Sequence, residues 1–205
     1  MRIDCIITSC ERYGYLEKTL ESLLRYNDTN INQIFVYEDS NRVDEIMDIC
    51  DKFDAIPILG GRNKGQVHAI DELMLCVTTP FYLHLEDDWE CNEFGFIPEA
   101  IAMFGNPEII QVNGRGRSPK ALNGHPVKDG YLSNDYQGWN GWMYAPTVNI
   151  TGEYQRRVAF QTLTTWNTKA PWECEKQIGS HFKGMKYVTE KQYFTHIGEI
   201  STYNK

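Results

Sequence analysis

Apolar and polar positions along the first ninety residues repeat in one order, strand then helix. Ile3–Thr8 (IDCIIT) reads as a strand. Tyr15–Tyr26 (YLEKTLESLLRY) places Leu16, Leu20, Leu23 and Leu24 at helical spacing. Gln33–Tyr37 (QIFVY) predicts a second strand and Val43–Phe53 a second helix. Ile56–Leu59 predicts a short strand that opens into Gly60-Gly61-Arg62-Asn63-Lys64-Gly65, and Gln66–Cys76 a third helix. Phe81–Leu85 predicts the next strand, which ends in Glu86-Asp87-Asp88. Such alternation argues for a parallel sheet with helices on its faces. In these sheets ligands bind beyond the carboxyl ends of the strands. Four polar clusters should therefore converge on one sheet edge: residues 8–12, 38–40, 62–65 and 86–88.

The second half is less regular. The pattern predicts a helix over 96–104 and a strand over 109–112. Residues 113–142 are rich in Gly, Asn, Ser and Pro, with Tyr131, Tyr136, Trp139 and Trp142 interleaved, too long a stretch for an ordinary turn. Further strands are expected over 142–148, 187–189 and 192–196, with a helix over 172–182.

A chain of 205 residues suffices for one domain with a sizeable core. The net charge of -8 weighs against a surface built to hold a nucleic-acid backbone. Six cysteines lie at 5, 10, 50, 76, 91 and 174, without C-x-x-C or zinc-type spacing, and read as reduced core residues. The N-terminus shows no signal-peptide pattern, and no apolar run approaches the ~18 residues that span a bilayer. A soluble, cytoplasmic protein is expected.

Three consecutive acids at the end of an apolar strand repel one another, and burial makes this worse. A positive partner must sit there. Carboxylate oxygens suit Mg2+ or Mn2+, and magnesium is commonly held by one or two carboxylates together with substrate phosphates. Next to a Gly-rich loop carrying Arg62 and Lys64, the acids fit a metal-bound nucleoside diphosphate; the plainer reading is an acidic turn in solvent.

Taken in order, the motifs resemble the family 2-type glycosyltransferases of GT-A fold. ITSCERYGYLEKTLESLL resembles their opening strand and helix. Glu38-Asp39-Ser40 resembles their Asp-Asp-x-Ser, Asn63-Lys64-Gly65 their Asn-x-Gly loop, and Glu86-Asp87-Asp88 a Glu-Asp-Asp variant of their Asp-x-Asp metal motif. The resemblance implies a single α/β domain with a mostly parallel twisted sheet and helices on both faces. Residues 1–90 would form the nucleotide-sugar half and 91–205 the acceptor half. Thr8, Ser9, Glu11 and Arg12 would line the base and ribose, and Asp39 would accept a hydrogen bond from uracil. Arg62 or Lys64 would approach the base or diphosphate. Glu86 and Asp87 would lie near the ribose and diphosphate. Asp88 would ligate Mn2+ or Mg2+, with His196 completing the metal shell.

Inverting transfer needs a base for the acceptor hydroxyl. Pro171-Trp172-Glu173-Cys174-Glu175 resembles the helix start that carries it. Residues two apart on a helix point ~200° apart, so Glu173 and Glu175 cannot both face the site. Glu-x-x-Ile-Gly favours Glu175 and the Trp-acid pair favours Glu173; both stay open. Trp139 and Trp142 are candidate acceptor platforms, since sugar C–H faces stack on aromatic rings, or else core anchors.

The expected function is metal-dependent transfer of a sugar from a nucleotide-sugar, a UDP-sugar first, to a hydroxyl on a glycan or other acceptor. A nucleotidyltransferase would carry a Gly-rich basic loop after the first strand, whereas no glycine precedes Gly14 here. A non-catalytic carbohydrate-binding module would bind glycan without metal or turnover. A transferase of this kind could also take hydroxymethylated bases in viral DNA as acceptors, against which the net charge weighs.

Overall fold

The computed structural model describes residues 1–117, 127–132, 145–152 and 185–198. The chain runs β1 (Ile3–Ser9), α1 (Tyr13–Asn27), β2 (Ile31–Glu38), α2 (Val43–Lys52), β3 (Ile56–Leu59), α3 (Gln66–Met74), β4 (Phe81–Glu86) and β5 (Trp89–Cys91). It continues through α4 (Phe96–Met103), β6 (Ile109–Asn113), β7 (Val127–Lys128), β8 (Tyr131–Leu132), β9 (Thr147–Ile150), β10 (Met185–Val188) and β11 (Phe194–His196). Among the described residues nine strands form one sheet in the order β3-β2-β1-β4-β9-β6-β10-β8-β7. The first four are mutually parallel, and β9 runs antiparallel to both β4 and β6. β5 and β11 pair antiparallel as a separate ribbon.

Period-two alternation along the strands separates two apolar layers. Cys5, Ile7, Ile34, Val36, Leu83 and Leu85 face Leu16, Leu20 and Leu23 of α1, Ile46 and Ile49 of α2, and Phe96 and Ile97 of α4. Ile6, Phe35, Tyr37 and Tyr82 face Val67, Ile70 and Leu73 of α3. Helices thus cover both faces of an α/β domain whose strand ends on one edge stay open for chemistry.

Several elements differ from the sequence pattern. β5 was not expected; its three residues carry no periodic signal, and pairing with the distant β11 makes it a strand. The strand expected over 142–148 is Thr147–Ile150 in the described residues, beginning just after Pro146, which has no N–H to give a ladder. β7 and β8 form a hairpin within the segment read as loop. The helix expected over 172–182 lies outside the described residues.

The sheet is pinned at its other edge by Asp4, a fully buried carboxylate at the start of β1. It accepts hydrogen bonds from Asn32 Nδ2 (2.8 Å), Thr78 N (2.8 Å), Thr78 Oγ1 (3.1 Å) and Thr79 N (3.1 Å). Burial pushes the Asp4 carboxyl up, but the bonds from Asn32, Thr78 and Thr79 outweigh it and hold it below its ordinary value. A depressed folded pKa contributes stability above the unfolded value near ~3.9, lost as pH falls through the folded one. Asp4→Asn should destabilise the fold at pH 7 by about 1–3 kcal/mol. In urea unfolding the gap to the parent chain should shrink towards pH 3; a pH-independent gap would refute the charge-based account.

Candidate active site

The loops after β1, β2, β3 and β4 meet at the carboxyl edge. Asp87 N donates to Thr8 O (3.0 Å), and Asp39 N donates to Ser9 O (2.8 Å). Cys10 N donates to Asp87 Oδ2 (3.3 Å), and Glu11 N to Glu38 Oε1 (3.1 Å). Glu11 adopts φ 56°, a left-handed conformation that turns its N–H onto Glu38. Among the described residues Ser9 Oγ and Glu38 Oε2, in register on neighbouring strands, are buried without a hydrogen-bond partner.

Asp39 is held by the loop after β3. Its two carboxylate oxygens accept from Lys64 N (2.7 Å) and Gly65 N (2.8 Å). Gly65 sits at φ 95°, where a side chain is strained, so this cradle depends on glycine. Burial pushes the Asp39 carboxyl up against the pull of these amides. Lys64 thus engages Asp39 through its backbone, and Arg62 is exposed.

The positive partner demanded by the acids is Arg12. The residue precedes α1 and makes no side-chain cap for that helix; its guanidinium turns back to the end of β4. Arg12 Nε donates to Asp87 Oδ2 (3.2 Å), Nη2 to Asp87 Oδ1, and Nη1 to Asp88 Oδ2 (2.6 Å). The two carboxylates are 1% and 2% exposed. Burial works against the guanidinium charge, yet Asp87 and Asp88 outweigh it and raise Arg12 above its ordinary value. Burial likewise pushes Asp87 up, opposed by Arg12 and reinforced by the Asp88 charge. Glu86 takes a different partner set: Gln66 Nε2 and Trp89 Nε1 (3.2 Å) both donate to it.

The β5–β11 ribbon brings the late histidine to the acids. His196 is opposite Trp89, its ring edge-on to the indole at 5.0 Å, and Ile197 N donates to Asp88 O (2.9 Å). His196 Nε2 lies 3.1 Å from Asp88 Oδ2. Gly198 packs so tightly against the Asp88 carboxylate that a Cβ there would collide with it. Asp88 Oδ1 is buried without a hydrogen-bond partner among the described residues. Asp88 and His196 together offer a carboxylate and an imidazole, group types that Mn2+ accepts. Among the described residues no group of three or more His, Cys, Asp or Glu side chains gathers into a metal-holding cluster. Remaining positions on a cation would fall to substrate oxygens and water.

Sequence reasoning missed Gln66, Trp89 and Gly198, and placed Glu38 at this edge without giving it a role. Trp89 carried a signal, an N–H donor directly after three acids; Gln66 and Gly198 carried none. Arg12 was legible as a site residue, but not as the counter-ion of the acids. Glu173, Glu175, Trp139 and Trp142 lie outside the described residues.

His196 yields a pH prediction. Its bond to Asp88 raises its pKa above the ordinary 6.5, burial opposes, and the Asp88 and Glu86 charges add to the rise. A raised folded pKa stabilises the fold below the unfolded value and ceases to do so as pH climbs through the folded one. In the metal-free chain, NMR should show His196 titrating above 6.5, and Asp88→Asn should bring it back down. An unchanged midpoint in Asp88→Asn would contradict the pairing.

No curated protein sequence matches the chain. Among solved structures it is similar to a mannosyltransferase, PcManGT from Pyrobaculum calidifontis, solved in complex with GDP-Man and Mn2+ (TM-score 0.70, 11% identity). The match covers 98% of this chain and 58% of that one. It is also similar to S. aureus TarS (TM-score 0.67, 13% identity), covering 97% of this chain and 37% of TarS. The chain therefore spans less than two thirds of each neighbour. At such identities these likenesses establish the fold, a GT-A-like one. The profile described as Glycosyl transferase family 2 matches residues 4–166, well over half of the sequence, and the chain belongs to that family.

Proposed function

We propose that the chain is a metal-dependent glycosyltransferase that moves a sugar from a nucleotide-sugar, a UDP-sugar in the first instance, to a hydroxyl acceptor with inversion. Family membership gives the reaction class, glycosyl transfer. The observation that carries the finer reading is Asp88, a buried carboxylate with one unpartnered oxygen and His196 at the other, at the edge where four loops converge. In this reading residues 1–90 hold the donor and 91–205 the acceptor.

Asp88 and His196 would hold the cation, which supplies neutralising charge to the departing diphosphate. Thr8, Ser9, Glu11 and Arg12 would line the nucleotide, with Asp39 fixed by the Lys64 and Gly65 amides in reach of the base. Arg62 and Lys64 would border it, and Glu86 and Asp87 would flank the ribose and diphosphate. Glu175 or Glu173 takes the acceptor proton as the acceptor oxygen bonds to the anomeric carbon and the sugar–diphosphate bond breaks. Trp139 and Trp142 would stack the acceptor. The GDP-Man held by the archaeal neighbour makes guanosine donors the second group to screen.

The test is release of nucleoside diphosphate from a panel of UDP- and GDP-sugars with saccharide acceptors and Mn2+. Asp88→Ala should lower turnover at least about a hundredfold, in line with the several kcal/mol a metal contact supplies, while circular dichroism stays unchanged. Near-normal turnover would overturn the metal assignment. Release of pyrophosphate would mean nucleotidyl transfer, and glycan binding without turnover a binding module.

A further inference from the structure

We propose that Arg12 is a built-in rival of the divalent cation: it pairs with Asp88 and yields it only when a donor diphosphate offers the guanidinium another partner. The proposal rests on the reading of Asp88 as the metal-holding residue and adds to it a control on when metal binds.

Three features carry it. First, the Arg12 guanidinium divides its work. Nε and Nη2 grip both oxygens of Asp87, a two-point attachment that fixes the plane of the group. Nη1 reaches Asp88 Oδ2, at 2.6 Å. That contact can be released without detaching the side chain from Asp87. Second, Asp88 is unevenly used. Oδ2 meets both Arg12 and His196, whereas Oδ1 is buried and has no hydrogen-bond partner among the described residues. A cation arriving at Asp88 would meet the Arg12 charge at hydrogen-bonding distance from the same carboxylate, in a site shielded from solvent where repulsion is weakly screened. Third, Arg12 is not held there by a helix-capping role: its carbonyl accepts from Tyr15 N and Leu16 N, and its side chain makes no cap bond.

A diphosphate changes the balance because its oxygens accept guanidinium hydrogen bonds as well as a carboxylate does. Metal and donor would then load as a pair, the bare cation binding poorly. A purely structural clamp predicts the reverse on mutation: without Arg12 the Asp88 carboxylate would lose its alignment and metal binding would weaken.

Mn2+ binding to the full chain, followed by electron paramagnetic resonance and calorimetry with and without UDP, separates these cases. Without nucleotide, Arg12→Gln should bind Mn2+ at least about tenfold more tightly than the parent chain, and Arg12→Lys, which keeps the charge, should stay near the parent. With UDP the gap should narrow. Equal or weaker Mn2+ binding by Arg12→Gln, while the parent binds Mn2+ with UDP, would overturn this proposal alone. Failure of every variant to bind Mn2+ even with UDP would overturn the metal reading and this proposal together. If Arg12→Gln does not fold, the parent chain decides: Mg2+ with UDP should shift the 15N side-chain signals of Arg12, and unmoved signals would overturn the proposal.

Discussion

Two buried carboxylates side by side at the end of β4 need positive charge, and much of the site follows from how the fold supplies it. Removing a carboxylate from water costs several kcal/mol unless a partner compensates. Arg12 grips both oxygens of Asp87 and one of Asp88, yet burial still leaves the Asp87 carboxyl above its ordinary value. His196 adds a second donor to Asp88. Among the described residues one oxygen of the pair, Asp88 Oδ1, is left without a hydrogen-bond partner.

Each member of the cluster arrives through a different piece of ordinary folding. The parallel pairing of β1 with β4 brings the residues after Thr8 level with the acids. α1 starts directly beyond, so Arg12 sits at its mouth, and Thr19 Oγ1 of the same helix donates to Asp87 O at 2.8 Å. The tight turn at Asp87-Asp88 reverses the chain into β5, whose ladder with β11 imports His196 from more than a hundred residues away. Gly198 leaves room for Asp88. The same edge thus presents anions, a cation and backbone amides close together.

The sequence was most legible where structure is local and periodic. Leu16, Leu20 and Leu23 announced α1, and the apolar runs ending in polar clusters placed β1, β2, β3 and β4 and the edge where their loops meet. What was not legible depended on long-range pairing. Nothing in Trp89-Glu90-Cys91 marks a strand until β11 is beside it. Gln66 and Gly198 are site residues only because distant chain segments fold onto them. The acids pointed to a missing positive charge, and the sequence suggested a metal; the fold provides a guanidinium first. That substitution could not be read from spacing, because α1, α2 and α3 all intervene between Arg12 and Asp87.

The most direct test of this account is a crystal of the chain soaked with Mn2+ and UDP, read by anomalous scattering. One strong manganese peak is expected against the Asp88 carboxylate and His196, with diphosphate density beside it and Arg12 Nη1 turned from Asp88 towards the phosphates. Manganese bound elsewhere, or diphosphate seated at the edge with Arg12 still closed on Asp88 and no metal, would contradict it.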